Sequence, residues 1–270
     1  MQVWEKNREG IFENNSSQTL SYPESGNDSC FAVEQSSPWF NQRNELIITY
    51  LNKYAKSGDF LDIGGGNGFQ AKAIIDSNYD GNVILIEPGT SGCRNAKKRG
   101  VDYVYQGVFQ DFPFEHFSIG NCGLFDVIEH IQDDIKFINQ LYDKLNEGTR
   151  VFINVPALKG LWSETDELSG HYRRYNLSDL KRIEENTPFK LVDYSYYFDY
   201  YIIPLFIARV ILYKTGIRLG QEKLSQKEQQ NLKKGMLDTL FNKLHQSSLN
   251  KIKQGKRKNH GTSLFFVLEK

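Results

Sequence analysis

An α/β domain built on a doubly wound, mostly parallel sheet is what this sequence predicts, and three observations carry that expectation. Short apolar, β-branched runs alternate with helical segments at the spacing of βαβ units. A glycine turn, "FLDIGGGNGF" from Phe60 to Phe69, follows directly on the first of these runs and packs four glycines into residues 64–68. A last apolar run, "GTSLFFVLEK", returns at residues 261–270 after a long interruption.

Taken in order, residues 1–37 are polar and broken by turn signals at Tyr22-Pro23 and Gly26-Asn27-Asp28, and read as an irregular arm. From Pro38 to about Lys56, residues Phe40, Leu46, Ile47, Leu51 and Tyr54 fall near helical spacing, with Pro38 suited to a first turn. Phe60–Ile63 is the first strand and Gln70–Ser77 a helix. "NVILIEP" (Asn82–Pro88) is the second strand, followed by a short helix in "SGCRNAKKRG". Val101–Gly107 is the third strand, and a fourth precedes Asp126. "DDIKFINQLYDKLNEG" is an amphipathic helix closed by Gly148, and "RVFINVP" is the fifth strand. Sheet patterning resumes in "FKLVDYSYYF" and in the closing run. The division expected is an arm (1–37), an α/β core (38–198), a helical insertion (199–261) and a final core strand (262–270).

The 270 residues suffice for one large domain, and 39% hydrophobic with 24% charged content is ordinary for a soluble globular chain. Thirty-three basic residues balance 33 acidic ones, which argues against nucleic acid as a partner. Cys30, Cys93 and Cys122 form no CxxC pair, so the sequence offers no metal-binding set and no disulfide framework; unpaired thiols suit a cytoplasmic location. The first residues lack the apolar core of a signal peptide. No apolar run reaches the ~20 residues of a membrane-spanning helix.

A glycine cluster carries a large entropic penalty, so it marks a place where main chain must turn sharply or be approached closely. In open parallel sheets, ligands sit beyond the carboxyl ends of the strands at the switch point. The dinucleotide pattern GxGxxG fails here because Phe69 stands at the third glycine, and no Gly-Lys-Ser/Thr completes a P-loop. What remains is Asp62-x-Gly64-x-Gly66-Asn67-Gly68, with Glu87 and Pro88 ending the next strand. This constellation resembles the first two motifs of class I S-adenosylmethionine-dependent methyltransferases. The resemblance implies a seven-stranded Rossmann-like sheet. It also implies S-adenosylmethionine as cofactor, S-adenosylhomocysteine as product, and a Glu87 carboxylate that accepts from both ribose hydroxyls.

The resemblance continues down the chain. "GVFQDFPF" (Gly107–Phe114) is similar to the family's adenine-contacting segment, with Val108 where an acid is usual. That departure leaves adenine to backbone groups at Val108 and Phe109, or to Gln110 or Asp111. "LFDVIEHI" (Leu124–Ile131) matches a fourth-strand motif and adds Phe125, Asp126 and His130 to the cofactor edge. "LWSETDELSGHYRRY" (Leu161–Tyr175) and "EQSSPWFNQRNELI" (Glu34–Ile47) resemble a bacterial and archaeal subgroup often encoded beside glycan-building enzymes. From the latter segment Arg43 would meet the cofactor carboxylate, while Trp39 and Phe40 cap the pocket; a helix with one arginine on its polar face is the plainer account.

Methyl transfer needs positioning and exclusion of water, and a base only if the acceptor arrives protonated. His130 and His171 are the candidate catalytic residues. The competing account makes His130 a loop-orienting histidine, with Glu129 its partner or an acid near a helix start. On the acceptor side, Trp162, Asp166, His171, Arg173, Arg174 and Tyr175 form the candidate substrate set, the arginine forks suiting a phosphate or carboxylate. The alternative is an ion-pair network among the arginines, Asp166 and Glu167.

The insertion begins with the apolar "DYYIIPLFIARVILY" (Asp199–Tyr213). It continues with Leu232, Met236, Leu237, Leu240, Phe241, Leu244, Leu249 and Ile252 at helical spacing. From Lys214 to His260, twelve Lys/Arg stand against three Asp/Glu, a net of +9. Such a basic amphipathic stretch serves as a lid, a homodimer seam or a peripheral membrane contact through 199–260. The function expected is methyl transfer to oxygen on a small-molecule or glycan acceptor, lipid-linked acceptors included. Two alternatives stand: an NAD-dependent oxidoreductase, and a catalytically silent cofactor-binding partner subunit.

Overall fold

A computed structural model of the chain describes residues 4–14, 24–216 and 236–270. Among the described residues nine strands form one sheet in the order β1-β2-β5-β4-β3-β6-β7-β9-β8. Seven of them make the core: β3 (Asp59–Ile63), β4 (Val83–Glu87), β5 (Tyr103–Gln106), β6 (Ile119–Phe125), β7 (Arg150–Pro156), β8 (Lys190–Tyr197) and β9 (Ser263–Glu269). β3 pairs in parallel with β4 on one side and β6 on the other, so the strand order reverses beside the glycine turn. β9 is antiparallel to both its neighbours, β7 and β8. The expected α/β class with a mostly parallel sheet is therefore the fold observed.

Strand count differs from expectation because the N-terminal arm is more regular than its polar sequence suggests. β1 (Glu5–Lys6) and β2 (Phe12–Glu13) extend the sheet beyond β5. The cause is aromatic burial at the sheet edge: Phe12 stacks on Tyr105 at 4.6 Å, and Trp4 meets the same ring edge-on at 5.1 Å. A short added strand of this kind also covers an edge that would otherwise be open to pairing.

Both sheet faces are buried, and the strands alternate accordingly. In β4, Ile84 and Ile86 face one cluster with Leu61, Ile63 and the helices α5 (Asp134–Lys144) and α7 (Leu177–Asn186). Val83 and Leu85 face the other, with Phe60, Phe152 and Phe265. That second face is covered by α2 (Pro38–Tyr54), whose Leu46, Ile47, Tyr50 and Leu51 are buried. Pro38 opens the helix where its missing N–H is no loss.

The insertion is helical on both sides of residues 217–235. Short helical turns at Ile202–Leu205 (α8) and Leu212–Lys214 (α9) flank a π-helical stretch, Phe206–Ile211. A long helix, Met236–Lys253 (α10), follows. Leu249 and Ile252 of α10 are buried on the core, and Gln42 of α2 donates to Asn242 at 2.8 Å. Leu240 and Leu244 are exposed, so the apolar set read from spacing divides between core and surface, and Leu232, Met236 and Leu237 lie outside the side chains described.

Candidate active site

The carboxyl ends of β3, β4, β6 and β7 converge beside the switch point, and most of the candidate residues stand there. After β3 the chain turns through Gly64, Gly66 and Gly68, all at positive φ (68°, 51° and 70°), a region side-chain-bearing residues rarely adopt. Gly68 has a second reason: a Cβ there would stand 2.8 Å from that of Ala96, so its absence lets α3 (Phe69–Asp76) pack on α4 (Thr90–Lys98).

Glu87, at the end of β4, points back at this turn. Its Oε2 accepts from the Gly66 N–H at 3.0 Å and its Oε1 from the Gly89 N–H at 2.8 Å. The carboxylate thus lies in the crevice between the glycine turn and the β4–α4 turn. Asp62 is fully enclosed, and neither of its carboxyl oxygens has a hydrogen-bond partner among the described residues. Burial pushes its carboxyl up to about 7, against the pull of Arg43 and with a further push from Glu87.

Arg43 reaches in from α2, pairs with Asp126, and lies within 4.9–5.0 Å of the Trp39 and Phe40 rings. Asp126 itself sits at φ 58°, immediately after β6, and is gripped from the other side by Asn154 Nδ2 at 2.6 Å. A non-glycine residue in that conformation at a strand end is a strained position held by its partners. Sequence reading missed Asn154, whose only signal was a polar residue inside the apolar "RVFINVP".

Three candidates have side chains committed within the fold, Phe109 in keeping with the backbone role expected of it. Asn67 is buried with its amide committed: Nδ2 donates to the Asn27 carbonyl (2.7 Å), and Oδ1 accepts from Asn95 (3.0 Å). Its side chain tethers the turn to helix α1 (Glu24–Glu34), in the part of the arm read as irregular, and to α4. Phe109 packs into the core against Phe137, and Phe125 lies between Phe60 and Phe265, so both offer only main chain. Pro88 and Val108 remain half-buried at the rim.

The segment 161–175 also departs from its expected role. Arg174 is buried, with Nε and Nη2 on the two oxygens of Asp166 (2.8 and 3.0 Å) and Nη1 on the Ala157 carbonyl. Asp166 is wholly enclosed and closes a capping box on Ser163 at the start of α6 (Glu164–Leu168). Tyr175 is buried and donates to Asp134 at 2.9 Å. Arg173 pairs with the same Asp134 at 2.8 Å, as does Arg182 at 2.6 Å. The two arginines are therefore structural ion-pair partners, not open forks for an acceptor; residue type was legible, burial was not. Glu167 accepts from Tyr213. Trp162 is half-buried and Tyr172 is exposed.

Asp134 supplies a pH prediction. Burial alone would raise its carboxyl, but hydrogen bonds from Arg182, Arg173 and Tyr175 hold it below the ordinary range. A depressed folded pKa gives stability that is present above the unfolded value, about 3.9, and is lost as pH falls through the folded one. Asp134→Asn should lower Tm at pH 7, and the gap to the unaltered chain should narrow below pH 4. An equal gap at both pH values would contradict the assignment.

His130 and His171 do come together, their ring centroids 4.7 Å apart and nearly perpendicular. Glu129 completes the group, with ligand atoms of all three residues within 4.8 Å of one another. Glu129 is fully buried, and neither carboxyl oxygen has a hydrogen-bond partner among the described residues. Burial, with Asp126 nearby, holds its carboxyl well above the usual range. Burial and the neighbouring His171 push His130 down to about 4. His171 is fixed through Nδ1 by Asp166 at 3.0 Å. This three-residue meeting was not legible as a ligand set, because one member comes from a segment far along the chain.

A methyltransferase-domain family model matches residues 39–194, more than half of the sequence. The chain belongs to that family. This methyltransferase-domain protein is 24% identical over 157 residues to a probable S-adenosylmethionine-dependent methyltransferase of Mycolicibacterium smegmatis. The match covers 57% of the chain and 60% of the relative's length. Among solved structures, it is similar to Haemonchus contortus phosphoethanolamine N-methyltransferase 2 in complex with S-adenosyl-L-methionine. That likeness has a TM-score of 0.54 and 21% identity, over 93% of this chain and 58% of the other. It is also similar to a Haloferax volcanii putative methyltransferase in complex with the Trm112 methyltransferase activator (TM-score 0.55, 13% identity, 90% and 96% covered). A third likeness is to the plantazolicin methyltransferase BpumL in complex with S-adenosylhomocysteine (TM-score 0.52, 13% identity, 91% and 88% covered). At these identities the three likenesses are of fold.

Proposed function

We propose that this protein transfers the methyl group of S-adenosylmethionine to an oxygen of a small-molecule or glycan acceptor. The observation that carries the reading is the Glu87 carboxylate, held against the Gly66 N–H at the switch point of a methyltransferase-family sheet. The residues fit the donor. Asp62 is an enclosed carboxyl whose oxygens have no side-chain partner among the described residues, suited to an ammonium, and Glu87 suits a ribose diol because a carboxylate offers two oxygens in fork geometry. When bound, the donor supplies an electrophilic methyl on a sulfonium whose leaving sulfur needs no protonation.

The protein's own work is then to orient and enclose. Arg43 and Asn154 set Asp126 at the inner edge, and α1 lies over the glycine turn through Asn27 and Asn67. The acceptor oxygen approaches where Glu129, His130 and His171 meet. That oxygen would take the methyl group of the bound donor, which would leave as a neutral thioether, and the hydroxyl proton would pass to water.

A lipid-linked acceptor is the finer form of this reading, favoured by Ile203, Phe206, Ile207 and Ile211. These four side chains are exposed on one stretch of the insertion, beside its lysine-rich remainder. Among the described residues no helix is long and apolar enough to cross a membrane.

Calorimetry tests the donor. S-adenosylhomocysteine should bind and NAD should not, since Phe69 of α3 stands where a dinucleotide site needs its third glycine. NAD binding without S-adenosylhomocysteine binding would replace this reading by an oxidoreductase. Donor binding with turnover only after adding a second protein would make the chain a partner subunit.

A further inference from the structure

We propose that Glu129, His130 and His171 bind a divalent first-row transition-metal ion, zinc in type, at the acceptor end of the crevice. The ligand atoms of the three residues lie within 4.8 Å of one another. Two imidazoles and one carboxylate are a donor set for zinc and its neighbours, whereas magnesium and calcium take oxygen almost exclusively. Zinc ligands at 2.0–2.1 Å stand about 3.4 Å apart in a tetrahedral site. The site would close by adjustment of the half-buried His130 ring, His171 being held in place by Asp166.

Two independent observations distinguish this cluster from a chance gathering of polar groups. The first is Glu129. A side chain with no exposed surface and two carboxyl oxygens lacking any hydrogen bond among the described residues is expensive unless something meets it. A cation is the partner that such a carboxylate accepts best. The second is the support behind His171. Asp166 holds Nδ1 at 3.0 Å, and Arg174 holds Asp166 through both oxygens. A carboxylate behind one ring nitrogen, directing the other at a cation, is the usual outer support of a metal-bound histidine. The Tyr172 N–H donates to the Glu129 carbonyl at 2.8 Å, which pins the segment carrying His171 to the loop carrying Glu129 and His130.

Three protein ligands leave a zinc-type ion an open position. Given the methyltransferase reading on which this role rests, the acceptor's oxygen would fill that position, and the ion would lower its pKa and fix its direction. The acceptor class is accordingly an alcohol, phenol or vicinal diol, and not an amine that arrives protonated. Binding of the ion itself does not depend on that reading.

The experiment uses the full chain, dialysed against a chelator and then titrated with Co2+ and Zn2+, with Co2+ followed by its visible d–d absorption. One Co2+ should bind per chain, displaced by Zn2+. Glu129→Gln and His171→Ala should each abolish the spectrum, and Asp166→Asn should weaken affinity roughly 10–100-fold. Circular dichroism and thermal melting establish that each variant is folded. Should Glu129→Gln fail to fold, the half-buried His171→Ala decides by itself. No Co2+ spectrum in the folded native chain, or a spectrum unchanged in His171→Ala, would overturn the site. S-adenosylhomocysteine affinity, measured on the same chelated sample, separates the two readings. Donor binding without metal binding sinks the metal site alone; metal binding without donor binding sinks the methyltransferase reading alone.

Discussion

Replacing Glu87 by alanine should weaken S-adenosylhomocysteine binding by ~1–3 kcal/mol, roughly 5–150-fold, the range for hydrogen bonds lost from a buried charged group. The effect has two sources. A diol bound at the end of β4 would lose its acceptor, and the Gly66 and Gly89 N–H groups would lose the carboxylate that sets the two turns at a common distance. Glu87→Gln separates them, because the amide keeps one acceptor oxygen and the side chain's length while losing the charge. Its affinity should fall between that of the native chain and that of the alanine variant. Calorimetry on both variants is the measurement, and unchanged affinity in Glu87→Ala would remove this residue from the donor site.

The largest stability effect is expected at Arg174. Removing one partner of a buried ion pair strands the other, typically at a penalty of about 3–5 kcal/mol. In Arg174→Met the stranded group is Asp166, which has no exposed surface and would keep only the His171 ring and the Ser163 end of α6. Tm should fall by on the order of 10 °C for a chain of this size. The double variant Arg174→Met with Asp166→Asn should lose much less than the sum of the singles, since the uncompensated charge has gone. Additive losses would show that the pair is not coupled as its geometry indicates.

The parts legible in sequence were those whose reason is local. Glycines 64–68 and Glu87 were readable because turn conformation and strand-end chemistry are set within a few residues. Strand β4 was readable because a strand with both faces buried is apolar throughout. Helix α1 was not readable: "ESGNDSCFAVE" has weak amphipathicity, and what holds it is tertiary, through Asn67, Ser91, Asn95 and Arg99. Arg173, Arg174 and Tyr175 illustrate a second limit. Composition announces guanidinium and phenol groups, but whether they face a substrate or a buried carboxylate is decided by Asp134 and Asp166, which only the fold brings to them. The Glu129–His130–His171 meeting is a third case, because it unites the loop after β6 with the loop after α6.

The position of β9 bears on how the polypeptide is made. Among the described residues β8 hydrogen-bonds to no strand except β9, which is itself wedged between β8 and β7. During synthesis β8 leaves the ribosome first, and the whole of residues 198–262 must follow before its partner appears. Throughout that interval the nascent sheet presents the raw flank of β7, and β8 waits as a lone ribbon, the condition in which chains most readily pair with the wrong neighbour. Completion of this sheet during translation thus waits on the synthesis of β9.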